Sequence, residues 1–167
     1  MYYNFVPTFK AKEIIIMQVF VPYDNFKKSI ESLDYKRKGK QRVEAYQVIQ
    51  TILKIQEGVN KGAWINHPAV KMWLGHEYQL AIYGLVCCHS WVSMGYKDTL
   101  TEKFNVFLNQ FVLENRNRNL PKWWGDSKVH TSHQSNLIRK LPDFYGPQFV
   151  GVPNDLPYYW AEDSWVI

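Results

Sequence analysis

Apolar residues recur along this chain mainly at three- and four-residue spacing, and that period predicts helices. The clearest case is about 40–57, where Val43, Tyr46, Ile49 and Leu53 make one stripe and Val48, Ile52 and Ile55 widen it into a buried face. Gly58 is placed to end that helix. The stretch 76–94 is apolar on every side, with Leu80, Ala81, Ile82, Tyr83, Leu85, Val86, Cys87, Trp91 and Val92, and so predicts the central helix. Phe104, Phe107, Leu108, Phe111 and Val112 predict an amphipathic helix over about 100–114. Three shorter helices are marked by their starts. Asn25 caps about 26–34, Pro68 stands in the first turn of a helix that stops near Gly75, and Asp126 or Ser127 caps about 128–140.

Elsewhere the pattern changes. Ile14 to Val21 is β-branched and aromatic and reads as one short strand. The run Lys36 to Arg42 is interrupted by Gly39, so that its first part lies before the long helix. Residues 115–126 form an Asn- and Arg-rich loop with Pro121, Trp123 and Trp124, and the tail from Pro142 carries Pro147, Pro153 and Pro157, as a surface loop would. Met17 opens a second plausible start, so residues 1–16 read as an N-terminal extension to a single domain over 17–167. The expected fold is all-α: a compact bundle of about six helices with a Pro-rich C-terminal loop region.

Composition narrows the class. With 46% hydrophobic and 21% charged residues the chain is globular rather than disordered. No run of eighteen apolar residues is present, so no membrane span is expected. Cys87 and Cys88 are neighbours, which point about 100° apart on a helix and do not pair; buried free thiols suit a cytoplasmic setting. Neither a CxxC nor a Cys/His zinc pattern occurs, and no metal or other cofactor is expected. The net charge is only +5, but Lys36, Arg37, Lys38, Lys40 and Arg42 put five cations into seven residues. Arg116, Arg118, Lys122, Lys128, Arg139 and Lys140 form a second set, while Asp155, Glu162 and Asp163 lie near the C-terminus. That asymmetry fits a polyanion on one face, and a solvated surface loop explains it equally well.

Lys40, Gln41 and Glu44 cluster on the first turns of one helix, and Lys40 and Glu44, four apart, meet on one face. With His67 they are the candidate catalytic residues, a carboxylate and an amine able to move a proton together; a plain surface ion pair is the alternative. Arg37, Lys40, Arg42, Arg139 and Lys140 are candidate phosphate ligands. His76, which opens a helix, and His130 and His133, three apart on one face, join them as phosphate or base contacts. His67 either caps a helix or binds phosphate, and His89 reads as a satisfied core histidine. Trp123 and Trp124 either stack on an extruded base or, the commoner role, plug the core.

Four runs carry a family resemblance: DYKRKGKQRVEAYQVI (34–49), NHPAVKMWLGHEYQLAIYG (66–84), GYKDT (95–99) and HTSHQSNLIRKLPDFY (130–145). Over most of 17–160 the chain resembles the pyrimidine-dimer DNA glycosylases, the phage-type ultraviolet endonucleases. The resemblance implies an all-helical domain that grips a kinked duplex and takes a base out of the stack. It implies cleavage of the glycosidic bond by an N-terminal α-amine through an imine, with help from a glutamate, and then β-elimination. The chain departs from that pattern twice. Sixteen residues precede Met17, and the stretch matching the family's glutamate reads Lys38-Gly39-Lys40-Gln41-Arg42, leaving Glu44 as the nearest carboxylate. The expected function is a monomeric DNA N-glycosylase, with or without AP-lyase activity, acting on a damaged or modified pyrimidine in duplex DNA. The alternatives are a non-catalytic DNA-binding module of the same fold and an enzyme on modified nucleotides.

Overall fold

The computed structural model describes residues 17–161, so the expected extension 1–16 and the last residues of the tail lie outside the described part. Seven helices follow one another: α1 (Phe26–Glu31), α2 (Tyr35–Gln56), α3 (Pro68–Trp73), α4 (Glu77–Ser93), α5 (Thr101–Leu113), α6 (Ser127–Lys140) and α7 (Pro142–Tyr145). Among the described residues there is no strand, and the fold is all-α. The caps expected at Asn25 and Asp126 each accept a backbone N–H, and Pro68 occupies the first turn of α3.

Helix α2 starts earlier than its apolar stripe. Asp34 caps it by accepting from the Arg37 N–H at 3.3 Å, so the basic run is the first two turns of α2 and not a stretch preceding it. Gly39 lies inside the helix rather than breaking it, because Trp91 of α4 packs there: a Cβ at Gly39 would stand 2.8 Å from the indole ring. Gly84 does the same for Phe104, where a Cβ would come within 2.3 Å of the ring. These two glycines let α4 seat closely between α2 and α5.

Helix α4 is central but not enclosed. Leu80, Ala81, Tyr83, Gly84, Cys87 and Cys88 face the core, while Ile82, Leu85 and Val86 line an open groove against α1. His89 is exposed in that groove, which corrects its assignment to the core. Both thiols are free and buried, and burial pushes Cys88 up to about 12.

The expected strand is also corrected. Residues 17–22 are buried but form no strand, and residues 14–16 of the expected strand lie outside the described residues. Side chains take the ladder's place. The Phe20 N–H donates to Gln41 Oε1 at 2.8 Å and Gln41 Nε2 donates to the Gln18 carbonyl at 2.9 Å. The Val21 N–H donates to His133 Nδ1 at 2.9 Å, and Gln134 Nε2 donates to the Pro22 carbonyl at 2.7 Å. A buried backbone must find partners, and here α2, α4 and α6 supply them from their flanks. The tail after α7 is held similarly: Ser135 Oγ accepts from the Leu156 N–H at 3.0 Å and Ser132 Oγ from the Tyr159 N–H at 3.1 Å.

Candidate active site and DNA-facing cleft

The buried N-terminal segment and the first turns of α2 enclose a cleft of about 220 Å³, lined by Phe20, Lys36, Arg37, Lys40, Gln41, Glu44 and Lys140. The spacing explains the lining: on α2, positions 36, 37, 40, 41 and 44 share one face. Glu44 is at the floor, 5% exposed, and Lys40 Nζ reaches Glu44 Oε1 at 3.2 Å from the exposed rim. Gln41 Nε2 donates to the other oxygen, Oε2, at 2.8 Å. Burial raises the Glu44 carboxyl above its usual range, although Lys40, the Gln18 N–H and Gln41 all act against the rise. The group is thus poised to take up a proton at less acidic pH than a free glutamate would.

Gln41 has no freedom left. Its Oε1 faces the Phe20 N–H, which can only donate, and its Nε2 faces the Gln18 carbonyl and Glu44, so the amide has one orientation. The Tyr83 hydroxyl stands 2.8 Å from both Gln41 Oε1 and the Phe20 carbonyl and donates to one of them at a time. Tyr83 was not among the candidates from the sequence. The signal was a tyrosine on an otherwise apolar helix face, whose buried hydroxyl must find a partner. Gln18 and Phe20 were hidden in a segment that looked like an ordinary strand.

Of the candidate residues, the cleft unites Arg37, Lys40, Gln41, Glu44 and Lys140. It adds Lys36, which the basic run contained without distinction. Six others lie outside the lining, each engaged elsewhere. Arg42 points to the far side of α2, ion-paired with Asp98 and 4.7 Å from the Trp91 ring centre, so its charge is spent inside the protein. His130 and His133 are buried. The Nδ1 of His130 donates to the Val21 carbonyl at 2.7 Å, and burial takes His133 down to about 3, so it is a neutral clasp rather than a phosphate ligand. Arg139 binds the tail, with Nη1 donating to the Asn154 carbonyl at 2.6 Å and Nη2 to the Leu156 carbonyl at 2.7 Å. His76 Nδ1 meets the Asn119 carbonyl at 2.9 Å and ties down the 115–126 loop. His67 caps α3, accepting from the Ala69 N–H at 3.1 Å, and its ring packs between Trp64 and Trp160. Trp123 is a core plug, donating from Nε1 to the Met72 carbonyl at 2.9 Å, and Trp124 packs on Phe26 and His130.

Beside the cleft, Phe20 meets Tyr158 at 6.5 Å between ring centres, and Tyr158 meets Trp160 at 5.4 Å. The Tyr158 hydroxyl is buried without a hydrogen-bond partner among the described residues.

A buried carboxylate with a raised proton affinity under a rim of cations suits chemistry beside a phosphate backbone. The model of a family described as pyrimidine dimer DNA glycosylase matches residues 17–103. The chain belongs to that family. The match includes α1 to α4 and the start of α5, and thus Glu44, Gln41, Tyr83 and the whole segment 17–22. No curated protein and no solved structure matches the chain. Membership supports a DNA glycosylase or repair function in general, with DNA as the substrate. No helix among the described residues is long and apolar enough to cross a membrane.

Proposed function

We propose that this chain is a DNA N-glycosylase that releases a damaged or modified pyrimidine from duplex DNA, with Glu44 as its general base. The observation that carries the reading is Glu44 itself, buried at the floor of a cleft whose mouth holds Lys36, Arg37, Lys40 and Lys140. In this reading the cations hold the phosphates flanking the extruded nucleotide and keep its sugar over the carboxylate. The base leaves with the electron pair of the glycosidic bond. Ionised Glu44 stabilises the positive sugar and takes a proton from the attacking nucleophile. Gln41, fixed by the Tyr83 hydroxyl and by the buried backbone, holds one carboxylate oxygen in place.

A lyase step requires an amine. The Gln18 backbone nitrogen hydrogen-bonds to the Glu44 carboxylate, so a chain beginning at Met17 would bring its α-amine near the same group. An amide nitrogen cannot form an imine, and a chain carrying residues 1–16 would have no amine there. Lys40 Nζ, 3.2 Å from Glu44, is a further candidate amine, and Lys36 and Lys140 also line the cleft. Incubation with ultraviolet-irradiated and hydroxymethylated duplexes, followed by alkali, tests base release. Borohydride trapping on abasic DNA then separates the nucleophiles. Trapping by the chain from Met17 alone identifies the α-amine, equal trapping by both chains identifies a lysine, and base release without trapping identifies water activated by Glu44. Absence of base release from every substrate would leave a DNA-binding module.

A further inference from the structure

Segment 17–22 is gripped from two sides. On one side α2 and α4 hold Gln18 and Phe20. The Gln18 N–H bonds to the Glu44 carboxylate, the Gln18 carbonyl and the Phe20 N–H bond to the Gln41 amide, and the Tyr83 hydroxyl reaches the Phe20 carbonyl. On the other side α6 holds Val21 and Pro22. His133 Nδ1 accepts from the Val21 N–H, His130 Nδ1 donates to the Val21 carbonyl, and Gln134 Nε2 donates to the Pro22 carbonyl. Both backbone groups of Val21 are thus taken by imidazoles about one helical turn apart. The two rings are in opposite tautomers. An N–H only donates and a carbonyl only accepts, so His133 carries its proton on Nε2 and His130 on Nδ1, which leaves His130 Nε2 to accept from the Gly125 N–H at 3.1 Å.

Stability does not account for His133. Its Nε2–H is buried with no partner among the described residues. An unpaired buried donor costs at least as much as one hydrogen bond returns, so the single bond to Val21 gives no net gain over an apolar side chain. What the bond does supply is a fixed position for the peptide that leads, through Phe20, to Gln18. Helix α6 begins at Ser127, outside the matched residues 17–103.

We propose that His130 and His133 are positioning residues for the Glu44 site: from α6 they fix Val21, and through the segment they keep the Gln18 N–H aimed at the carboxylate. The proposal rests on the glycosylase reading of that site and deepens it. Neither imidazole lines the cleft, so both act through the backbone. The Gln18 N–H is one of the donors that hold Glu44 down against burial, and a segment that slips lets the carboxyl rise. Glu44 is also faced by Lys40 on its own helix, by Lys36, Arg37 and Lys140 around the cleft, by Tyr83 of α4 and by Tyr158 of the tail. All six keep their charge in an α6 variant, so a change at Glu44 there reports the Gln18 contact.

The test uses the full chain and two readouts. In an NMR pH titration the Gln18 amide resonance should follow the ionisation of Glu44 in wild type. In His133→Leu that response should shrink, and the Glu44 midpoint should move to higher pH. Base release from the irradiated or hydroxymethylated duplex should fall about ten- to a hundredfold, with its acidic limb moved the same way and DNA affinity kept. His133→Asn, whose Oδ1 can stand where Nδ1 stands, should restore most of both. A lower melting temperature in His133→Leu with the Gln18 titration unchanged marks a merely structural histidine and overturns the proposal. If His133→Leu does not fold, Gln134→Leu decides, since it removes only the half-buried bond to Pro22: a smaller shift in the same direction supports the proposal and no shift overturns it. Absence of base release in wild type overturns the glycosylase reading alone, because the Gln18 titration is read without substrate.

Discussion

Glu44 and Asp98 are each paired with a cation from the basic run, as Asp34 is with Arg37, yet Glu44 and Asp98 behave in opposite ways. Glu44 pairs with Lys40, and Asp98 pairs with Arg42 on the other side of α2. Their side chains are almost equally inaccessible, at 6% and 3% exposure. Burial raises Glu44 and the available donors do not overcome it. Asp98 lies under a thinner layer of protein; burial raises it too, but the hydroxyl and N–H of Thr101 and the Arg42 guanidinium together bring it down to about 2. Asp98 also accepts from the Leu100 N–H at 3.1 Å. The difference lies in depth and donor supply, not in the presence of a partner charge. Asp98 is held ionised to start α5 and anchor α2. Glu44 is left able to exchange a proton.

The strongest way to break this comparison is to neutralise each acid. Glu44→Gln should lower base release by about two to four orders of magnitude while DNA binding persists. Its melting temperature at pH 7 should not fall, since a buried charge that the fold disfavours has been removed. If release survives, Glu44 is not the base. Asp98→Asn should instead cost about 3 kcal/mol in denaturant unfolding, because Arg42 is left buried without its partner. A loss of activity without loss of stability in that variant would place Asp98 in the chemistry and erase the contrast.

The cations sharpen it further. Lys40→Ala should weaken DNA binding and reduce the log–log salt slope by about 0.9, one phosphate contact. Arg42→Ala should leave that slope unchanged and show itself in stability. Equal slopes in the two variants would mean that Lys40 touches no phosphate.

The smallest effects concern pH. The folded Asp98 carboxyl titrates at about 2 against 3.8 in a free side chain, so its stabilisation is complete above 3.8 and is lost as pH falls toward 2. Glu44 has the reverse sign. Its folded value is raised above 4.5, so protonation favours the fold, and ionisation costs stability as pH rises through the folded value. The acidic limb of the rate profile should therefore lie above 4.5. Lys40→Gln should move it higher, since Lys40 is the largest influence holding Glu44 down. A limb that stays in place in Lys40→Gln would show that another group titrates there.

Much of the frame was legible in the chain. The stripe through Val48, Ile49 and Ile52 marked α2, the apolar run around Leu80 and Tyr83 marked α4, and Asn25, Pro68 and Asp126 marked helix starts, because all of these act through neighbours a few residues away. Lys40, Gln41 and Glu44 were also recognisable as a cluster, since helical spacing alone brings them together. The histidines were not. His130 and His133 looked like an exposed pair on one helix face, and their partners, the Val21 carbonyl and N–H, are more than 100 residues away in the chain. Arg42 was indistinguishable from Lys40 in a run of cations, until α4 supplied Trp91 and the loop before α5 supplied Asp98.

The sequence by itself determined α1 to α6, the family and the face of α2 that carries the acid, but not α7 in what read as a loop tail, because periodicity, caps and local spacing are written in adjacent residues. Only the tertiary structure decided which charges are spent internally and which face the cleft. It also decided that an extended segment would be held by Gln41, Tyr83 and His133 instead of by a sheet. Those outcomes depend on depth from solvent and on donors brought from distant helices, and neither quantity exists until the chain has closed on itself.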